Sequence, residues 1–499
     1  MPYYCSVEAH PFDRYAAYTD LAALNAASEK PLRKSLRVNT LKTSVEAFKV
    51  WAKKEGWQLT PVPWCPEGFF VERADRSTAL GKDLLHLLGH VYMQEAASML
   101  PVALLDPQPG EKVLDMSAAP GSKTTQIAAR MNGTGVVVAN DVQEKRLQTL
   151  KSALYRSGVP NALLTRKQGQ WFGTRMVERF DRVLCDAPCT AQGTVRKDAS
   201  ALEYSSERSI HGMAALQFSL LESAVHAAKV GGRIVYSTCT LTPEENEMVV
   251  SRILNKYCEQ VTVLDVTGRS EIRNQRAEIR AQRSALHQAL KDSMTVQREL
   301  QKTGNWSLTS DLYPFLRLWP QTYDTEGFFC AVLRKRLPTA ERVFERPALF
   351  QERPLRRREQ EKIGAFLTEL YGTSFLHEGD QLFELDGQLL LSTEDVQDFP
   401  LLTKDYALGF PFAKLLKDGR CRLTHDLAIA RGMMATSNCM EMKDEQLHEL
   451  FAGRDTTCSK TIDGDVILQW QDLAIGVGLA QQGVLKNRIS RWLVQLTSE

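Results

Sequence analysis

Residues 112–124 read KVLDMSAAPGSKT: a short strand-like run, a turn of small residues, and the opening of a helix. Outward from it the same rhythm repeats. VVVAND (136–141) precedes a helix from Gln143, RVLCD (182–186) precedes a helix through Met213 to Lys229, and RIVYS (233–237) precedes a helix from Pro243. Strands of four to six mostly apolar residues alternating with helices of ten or more predict βαβ units and a parallel sheet. Such α/β sheets bind ligands at the carboxyl ends of their strands.

Upstream, residues 1–95 mix a helical start (Arg14 to Ala27), RVNTLK (37–42), a helix from Val45 to Lys54, and extended pieces at 57–62 and 68–73. This reads as a small α+β module. The Rossmann-like domain spans 96–337, closing on VTVLD and FFCAVLRK, with a polar helix-favouring insertion at about 268–303. Within it Arg269, Arg273, Arg276, Arg280 and Arg283 fall on one helical face. That stripe is either a solvated face or a contact for RNA phosphates. Residues 338–499 hold a linker, then short strand-like pieces punctuated by glycine, a separate and mostly β region.

With 499 residues and 43% hydrophobic content the chain can bury sizeable cores. It lacks the composition of disordered or fibrous proteins. The 62 basic residues against 60 acidic ones leave +2, so any nucleic-acid surface must come from local patches such as Arg196–Lys197. No apolar run reaches membrane-spanning length and the first residues do not resemble a signal peptide, which predicts a cytoplasmic location. The ten cysteines form no CxxC pair, so a disulfide scaffold, zinc and other metals are not expected.

The turn Ser117–Lys123 fails the phosphate-loop pattern, because Ser122 separates Gly121 from Lys123, and it fails the dinucleotide spacing as well. Small residues let a backbone approach a ligand closely, and the helix start offers free N–H groups. Asp141 ends the next strand 20 residues beyond Gly121, placed to accept ribose hydroxyls. S-adenosylmethionine fits this spacing; a purely structural turn with a surface carboxylate fits it too.

Cys189, in Asp186-Ala187-Pro188-Cys189, follows one strand end, and Cys239, in Ser237-Thr238-Cys239-Thr240, follows another, so both face one crevice. Cytosine C5 is too weakly nucleophilic to take a methyl group from a sulfonium unaided. Thiolate addition at C6 makes C5 nucleophilic, so one cysteine would be the nucleophile. A second thiol or a carboxylate could assist departure of H5 and the thiolate, and Asp186 could hydrogen-bond the N3 edge. Cys5, Cys65, Cys185, Cys258, Cys330, Cys421, Cys439 and Cys458 read as small hydrophobes.

LDMSAAPGSKTTQ, ANDVQEKR, FDRVLCDAPCTAQGTVRKD, RIVYSTCTLTPEENE and RLWPQTYDTEGFFCAVLRK resemble, in order, the motifs of the Sun-type (NOL/NOP/Sun) RNA cytosine-C5 methyltransferases. RVNTLK resembles that family's leading RNA-contact motif. The C-terminal LGFPFAKLLKDGRCRLTHDLAIA is similar to the PUA-like tail of the bacterial RsmF-type 16S rRNA enzymes. The resemblance implies a class I methyltransferase that uses S-adenosylmethionine and acts on small-subunit ribosomal RNA or the small ribosomal subunit, as a monomer and away from membranes.

It further implies that Ser117, Ala118, Ala119, Pro120, Gly121, Ser122 and Lys123 hold the methionine end of the cofactor, Asp141 its ribose and Gln168 its adenine, with Arg146 also among the cofactor-binding residues. Asp186 would contact both cofactor and base, Cys239 would be the nucleophile, Cys189 would aid product release, and Lys123 would belong to the catalytic group. Three positions depart from the family pattern: Gln168 for an Asp, Ser117 for a Cys or Ala, and Thr190-Ala191 for Ser-Gly. Transfer RNA as the substrate, or an inert RNA-binding assembly factor, are the competing readings. A DNA-type enzyme would instead attack through the cysteine after Pro188.

Overall fold

The computed structural model describes residues 12–74, 79–204, 206–266, 277–304, 312–341, 346–417, 420–490 and 493. Arg269, Arg273 and Arg276, the side chains of Arg280 and Arg283, and Cys5 lie outside the described residues. The helical start is divided. A 3₁₀ turn Asp13–Tyr15 is followed by a separate helix Leu21–Ser28, because Asp20 accepts the Ala23 N–H at 3.0 Å and caps a new N-terminus.

Strands β1 (Ser35–Val38), β2 (Gln58–Val62), β3 (Cys65–Glu72) and β4 (Val91–Met93) form an antiparallel sheet in the order β2-β3-β1-β4. RVNTLK, expected to meet RNA, turns inward. Arg37 is fully buried, donating to Gln94 Oε1 (2.9 Å) and Thr125 Oγ1 (2.8 Å). Asn39 donates to the carbonyls of Gly89 (2.8 Å) and Ser157 (2.9 Å), and Lys42 to that of Leu88. A buried charge needs such partners, and they fasten this sheet to the helices of the next domain. Arg196 is likewise withdrawn: its guanidinium bonds the carbonyls of Lys30, Pro31 and Thr325 and the Asp324 carboxylate. Of that expected basic pair only Lys197 is exposed.

The central sheet contains β5 (Lys112–Asp115), β6 (Val136–Asn140), β7 (Ala162–Thr165), β8 (Phe180–Asp186), β9 (Ala228–Thr238), β10 (Val261–Val263), β11 (Leu316–Leu318) and β12 (Phe328–Lys335). Its order is β10-β12-β9-β8-β5-β6-β7, with β11 also on β12; β5 through β9 are mutually parallel and β12 antiparallel to β9. Alternate residues face opposite layers. Leu114, Val138, Val183 and Ile234 pack into one core, while Val113, Val137, Leu184 and Val235 pack into the other. The order reverses between β5 and β8, which opens a crevice at their carboxyl ends. This is a Rossmann-like α/β sheet with an α+β module before it.

The β-rich region after residue 346 holds two five-stranded sheets, but it is not detached. Its strand Tyr406–Leu408 pairs antiparallel with β7 and covers what would otherwise be an open edge. Among the described residues no helix is long and apolar enough to cross a membrane.

The insertion helix Ala277–Lys302 is anchored by a buried ion pair. Arg317 on β11 and Glu247, which begins the helix Glu247–Lys256, are both fully buried. Arg317 Nε donates to Glu247 Oε1 at 3.1 Å and its Nη1 to the Leu241 carbonyl at 2.8 Å, while Ser293 of the insertion donates to the same Oε1 at 3.1 Å. Removing one charge strands the other. Glu247→Ala is therefore expected to cost about 3–5 kcal/mol, seen as a lower urea midpoint for unfolding.

Candidate active site

β8 and β9 run side by side with Asp186 opposite Ser237. Both chains then leave the sheet at the same edge. The Ala187 N–H donates to the Ser237 carbonyl (2.9 Å), and the Gly193 N–H to the Cys239 carbonyl (3.0 Å). A side chain at Gly193 would collide with the carbonyl oxygens of Gly327 and Cys239 at 2.3 and 2.6 Å. So close a backbone approach fixes the two loops against each other. The sulfurs of Cys189 and Cys239 lie 3.3 Å apart, both half-buried.

Lys123, on the first turn of the helix Ser122–Arg130, places Nζ 2.8 Å from Asp186 Oδ2. Ser237 Oγ donates to Asp186 Oδ1 at 2.7 Å. Burial works against the Lys123 charge, but Asp186, Asp115 and Cys239 outweigh it and hold the ammonium above the ordinary lysine range. Burial also pushes Asp115 up to about 7, with Asp186 adding and the Thr124 hydroxyl opposing. The Cys189 thiol is raised well above its usual range by its hydrogen bond with Cys239, by burial, and by the charges of Cys239 and Glu245.

The turn expected to hold the cofactor lies across the crevice. Gly121 has φ of 110°, and a Cβ there would press on Ala153 and Leu150 at 3.1 Å, so only glycine lets the turn sit this close to the helix Glu144–Ser157. Ser117, Ala118, Ala119, Pro120, Gly121 and Ser122 continue from β5 into the start of the helix Ser122–Arg130. Asp141 is almost fully buried at the end of β6. Its Oδ1 accepts the Gln143 N–H (3.0 Å), and its Oδ2 makes no hydrogen bond although Arg146 Nη1 stands 3.2 Å away. An unfilled buried carboxylate oxygen beside a glycine cradle suits a ribose and its amino-acid tail. Gln168 is exposed at the rim beyond β7. The structure thus gathers Lys123, Asp186, Cys189 and Cys239 in one cluster, with Asp141, Arg146 and Gln168 ranged along the neighbouring strand ends.

Residues 102–334 match the family described as 16S rRNA methyltransferase RsmB/F, and residues 14–96 match the N-terminal domain of 16S rRNA methyltransferase RsmF. The chain is 34% identical over 484 residues to ribosomal RNA small subunit methyltransferase F of Psychromonas ingrahamii, covering 94% of this chain and 92% of that one. The chain belongs to the ribosomal RNA small subunit methyltransferase F family. The protein of the same name from Aeromonas salmonicida is 37% identical over 486 residues, covering 96% and 94%. A solved methyltransferase homolog from Pyrococcus horikoshii is 35% identical with a TM-score of 0.51, covering 65% of this chain and 93% of that one. As a member of this family the chain is an rRNA methyltransferase, and its methyl donor is S-adenosylmethionine.

Several site residues were not anticipated from the sequence. Asn140, fully buried, donates to the carbonyls of Met116 (3.1 Å) and Lys167 (2.8 Å) and accepts the Lys167 N–H (2.8 Å), so one amide joins the ends of β5, β6 and β7. The signal was one polar residue closing the run VVVAN. Glu245 accepts hydrogen bonds around Cys189, as described below. Glu95 accepts the Glu326 N–H (3.2 Å) and the Ser98 N–H (3.1 Å); Glu326 sits in a segment whose Gly327 N–H donates to Gly193 O (2.9 Å). At the departure Thr190-Ala191, Thr190 supplies a hydroxyl as serine would, whereas Ala191 is held at φ of 58°, a conformation that costs a side-chain-bearing residue about 1 kcal/mol.

Burial and the neighbouring Glu326 carboxyl raise Glu95 from 4.5 to about 8. The folded state therefore keeps a proton that the unfolded chain releases, and stability is lost as pH rises from 4.5 through 8. Glu95→Gln mimics the neutral acid. Melting temperatures measured between about pH 5 and pH 8 should decline less in the variant than in the wild type; parallel curves would place the proton elsewhere.

Proposed function

We propose that the protein methylates C5 of a cytosine in 16S ribosomal RNA through a covalent Cys239–C6 adduct. The observation that carries this reading is the pair of sulfurs 3.3 Å apart at adjacent strand ends, beside Lys123 and Asp186. The 16S target is taken from the names of relatives that align along nearly the whole chain, and ribosomal RNA implies a cytoplasmic site of action. The bound cofactor supplies an electrophilic sulfonium methyl group.

The residues act on the base. Cys239 forms the S–C6 bond, and the ring electrons displaced by it make C5 nucleophilic. Asp186, fixed by Lys123 and Ser237, delivers a proton to N3 as C6 is attacked and so neutralises the charge that the addition places on the ring. After C5 is methylated its proton passes to a base, the S–C6 electrons return to sulfur, and Cys189 assists that release. Ser117–Lys123, Asp141, Arg146 and Gln168 would hold the cofactor. We read residues 1–95 as an RNA-binding module, 96–337 as the catalytic domain and 338–499 as a PUA-like RNA-binding region, in line with the matches to 14–96 and 102–334.

Asp141→Ala removes the ribose acceptor and is expected to cost about 1.5–3 kcal/mol of cofactor binding, a loss of roughly tenfold or more in affinity by titration calorimetry. Unchanged affinity would put the ribose elsewhere.

The two cysteines should fail differently. Cys239→Ala is expected to bind RNA and cofactor, form no covalent species and transfer no labelled methyl group to 16S RNA. Cys189→Ala should accumulate protein crosslinked to RNA on a denaturing gel. The reverse pattern would make Cys189 the nucleophile. An inactive wild type with no adduct from either variant would favour an RNA-binding assembly factor, and label appearing in transfer RNA alone would reassign the substrate.

A further inference from the structure

Two thiols in contact cannot both be the attacking thiolate, so something must decide which one carries the proton. Glu245, in the PEENE segment after Cys239, is fully buried behind Cys189. Its Oε2 accepts the Thr190 N–H (3.0 Å) and Gln217 Nε2 (2.8 Å); its Oε1 accepts the Thr242 hydroxyl (2.8 Å) and the Thr190 hydroxyl. Gln217 also donates to the Pro188 carbonyl at 2.8 Å. The residues on both sides of Cys189 are thus tied, directly or through Gln217, to one carboxylate. An ionised carboxylate only accepts, which is what this ring of donors requires; an amide would turn an N–H toward one of them.

The charges around the pair are unequal. Glu245 stands on the Cys189 side, while Lys123 interacts with Cys239. The titratable groups that face Cys189 are Cys239, Glu245 and the phenol of Tyr236. A nearby negative charge disfavours a thiolate and a nearby ammonium favours one. We propose that Glu245 is a positioning residue that divides the roles of the two cysteines: it fixes the Cys189 loop and keeps the shared proton on Cys189, leaving Cys239 as the nucleophile. This rests on the reading of Cys239 as the attacking group.

The test uses the full-length protein without RNA, so it is separable from whether any methyl transfer occurs. Alkylation of each cysteine by iodoacetamide is followed by peptide mass spectrometry across a pH series. In wild type Cys239 should alkylate at lower pH than Cys189. In Glu245→Gln the midpoint for Cys189 is expected to fall by about one pH unit, further than in Glu245→Asp, which loosens the packing but keeps the charge, with cofactor affinity unchanged. An unmoved Cys189 midpoint in folded Glu245→Gln overturns the proposal. If that variant does not fold, Glu245→Asp keeps the charge and withdraws it by one methylene; a smaller fall in the Cys189 midpoint is expected, and no change in the folded variant overturns the proposal equally.

Discussion

The parallel pairing of β8 with β9, in the register that sets Asp186 opposite Ser237, is the constraint on which the site depends. Adjacent strands lie about 4.8 Å apart, and in a parallel pair both chains leave the sheet at the same edge. Two cysteines three and two residues beyond those positions are therefore delivered to one place. A one-residue slip would turn Asp186 to the opposite face, breaking its bonds to Ser237 and Lys123 together. Hydrophobic alternation forbids that slip, since Val183 and Leu184 already face different cores. Packing inside the sheet thus protects chemistry at its end.

Around that edge the interior becomes polar, and a few buried polar side chains tie the strand ends and loops together. Asn140 joins three strand ends, Glu245 joins the two cysteine loops, and the Glu247–Arg317 pair brings the insertion helix against β11. Bonds of this kind add little net stability each, but an unmatched member is costly in the low dielectric of a core. Their value lies in fixing positions. A sulfur–sulfur contact of 3.3 Å between two loops survives only where neither loop can drift, and the Gly193–Gly327 backbone contact leaves no room for drift.

The flanking regions are built into the same unit. Arg37 and Asn39 spend their donors on the catalytic domain, and Tyr406–Leu408 extends its sheet beyond β7. The Glu95–Glu326 contact joins the segment after β4 to the segment before β12, beside the cysteine loops. RNA-facing surface must therefore come from residues other than Arg37, Asn39 and Arg196, whose side chains are buried within the fold.

The order of residues alone specifies the βαβ alternation, the glycine turn after β5, the carboxylate at the end of β6 and the presence of both cysteines at strand ends. Each of these is a local pattern: a period of two, a change to a helical period, or a small residue where backbone must come close. It did not reveal β7 as a separate strand, the break before Leu21, or the inward course of RVNTLK, and it offered Arg196 as a surface cation. Glu245, Glu95 and Glu326 carried no local signal, because a glutamate looks solvated until its partners are known, and Asn140 showed only as the polar residue that closes VVVAN. Gln217 meets Glu245 from 28 positions away and Glu326 meets Glu95 from 231. Only the tertiary structure decides such pairings, because the cost of burying a polar group depends on which donors the folded chain brings to it.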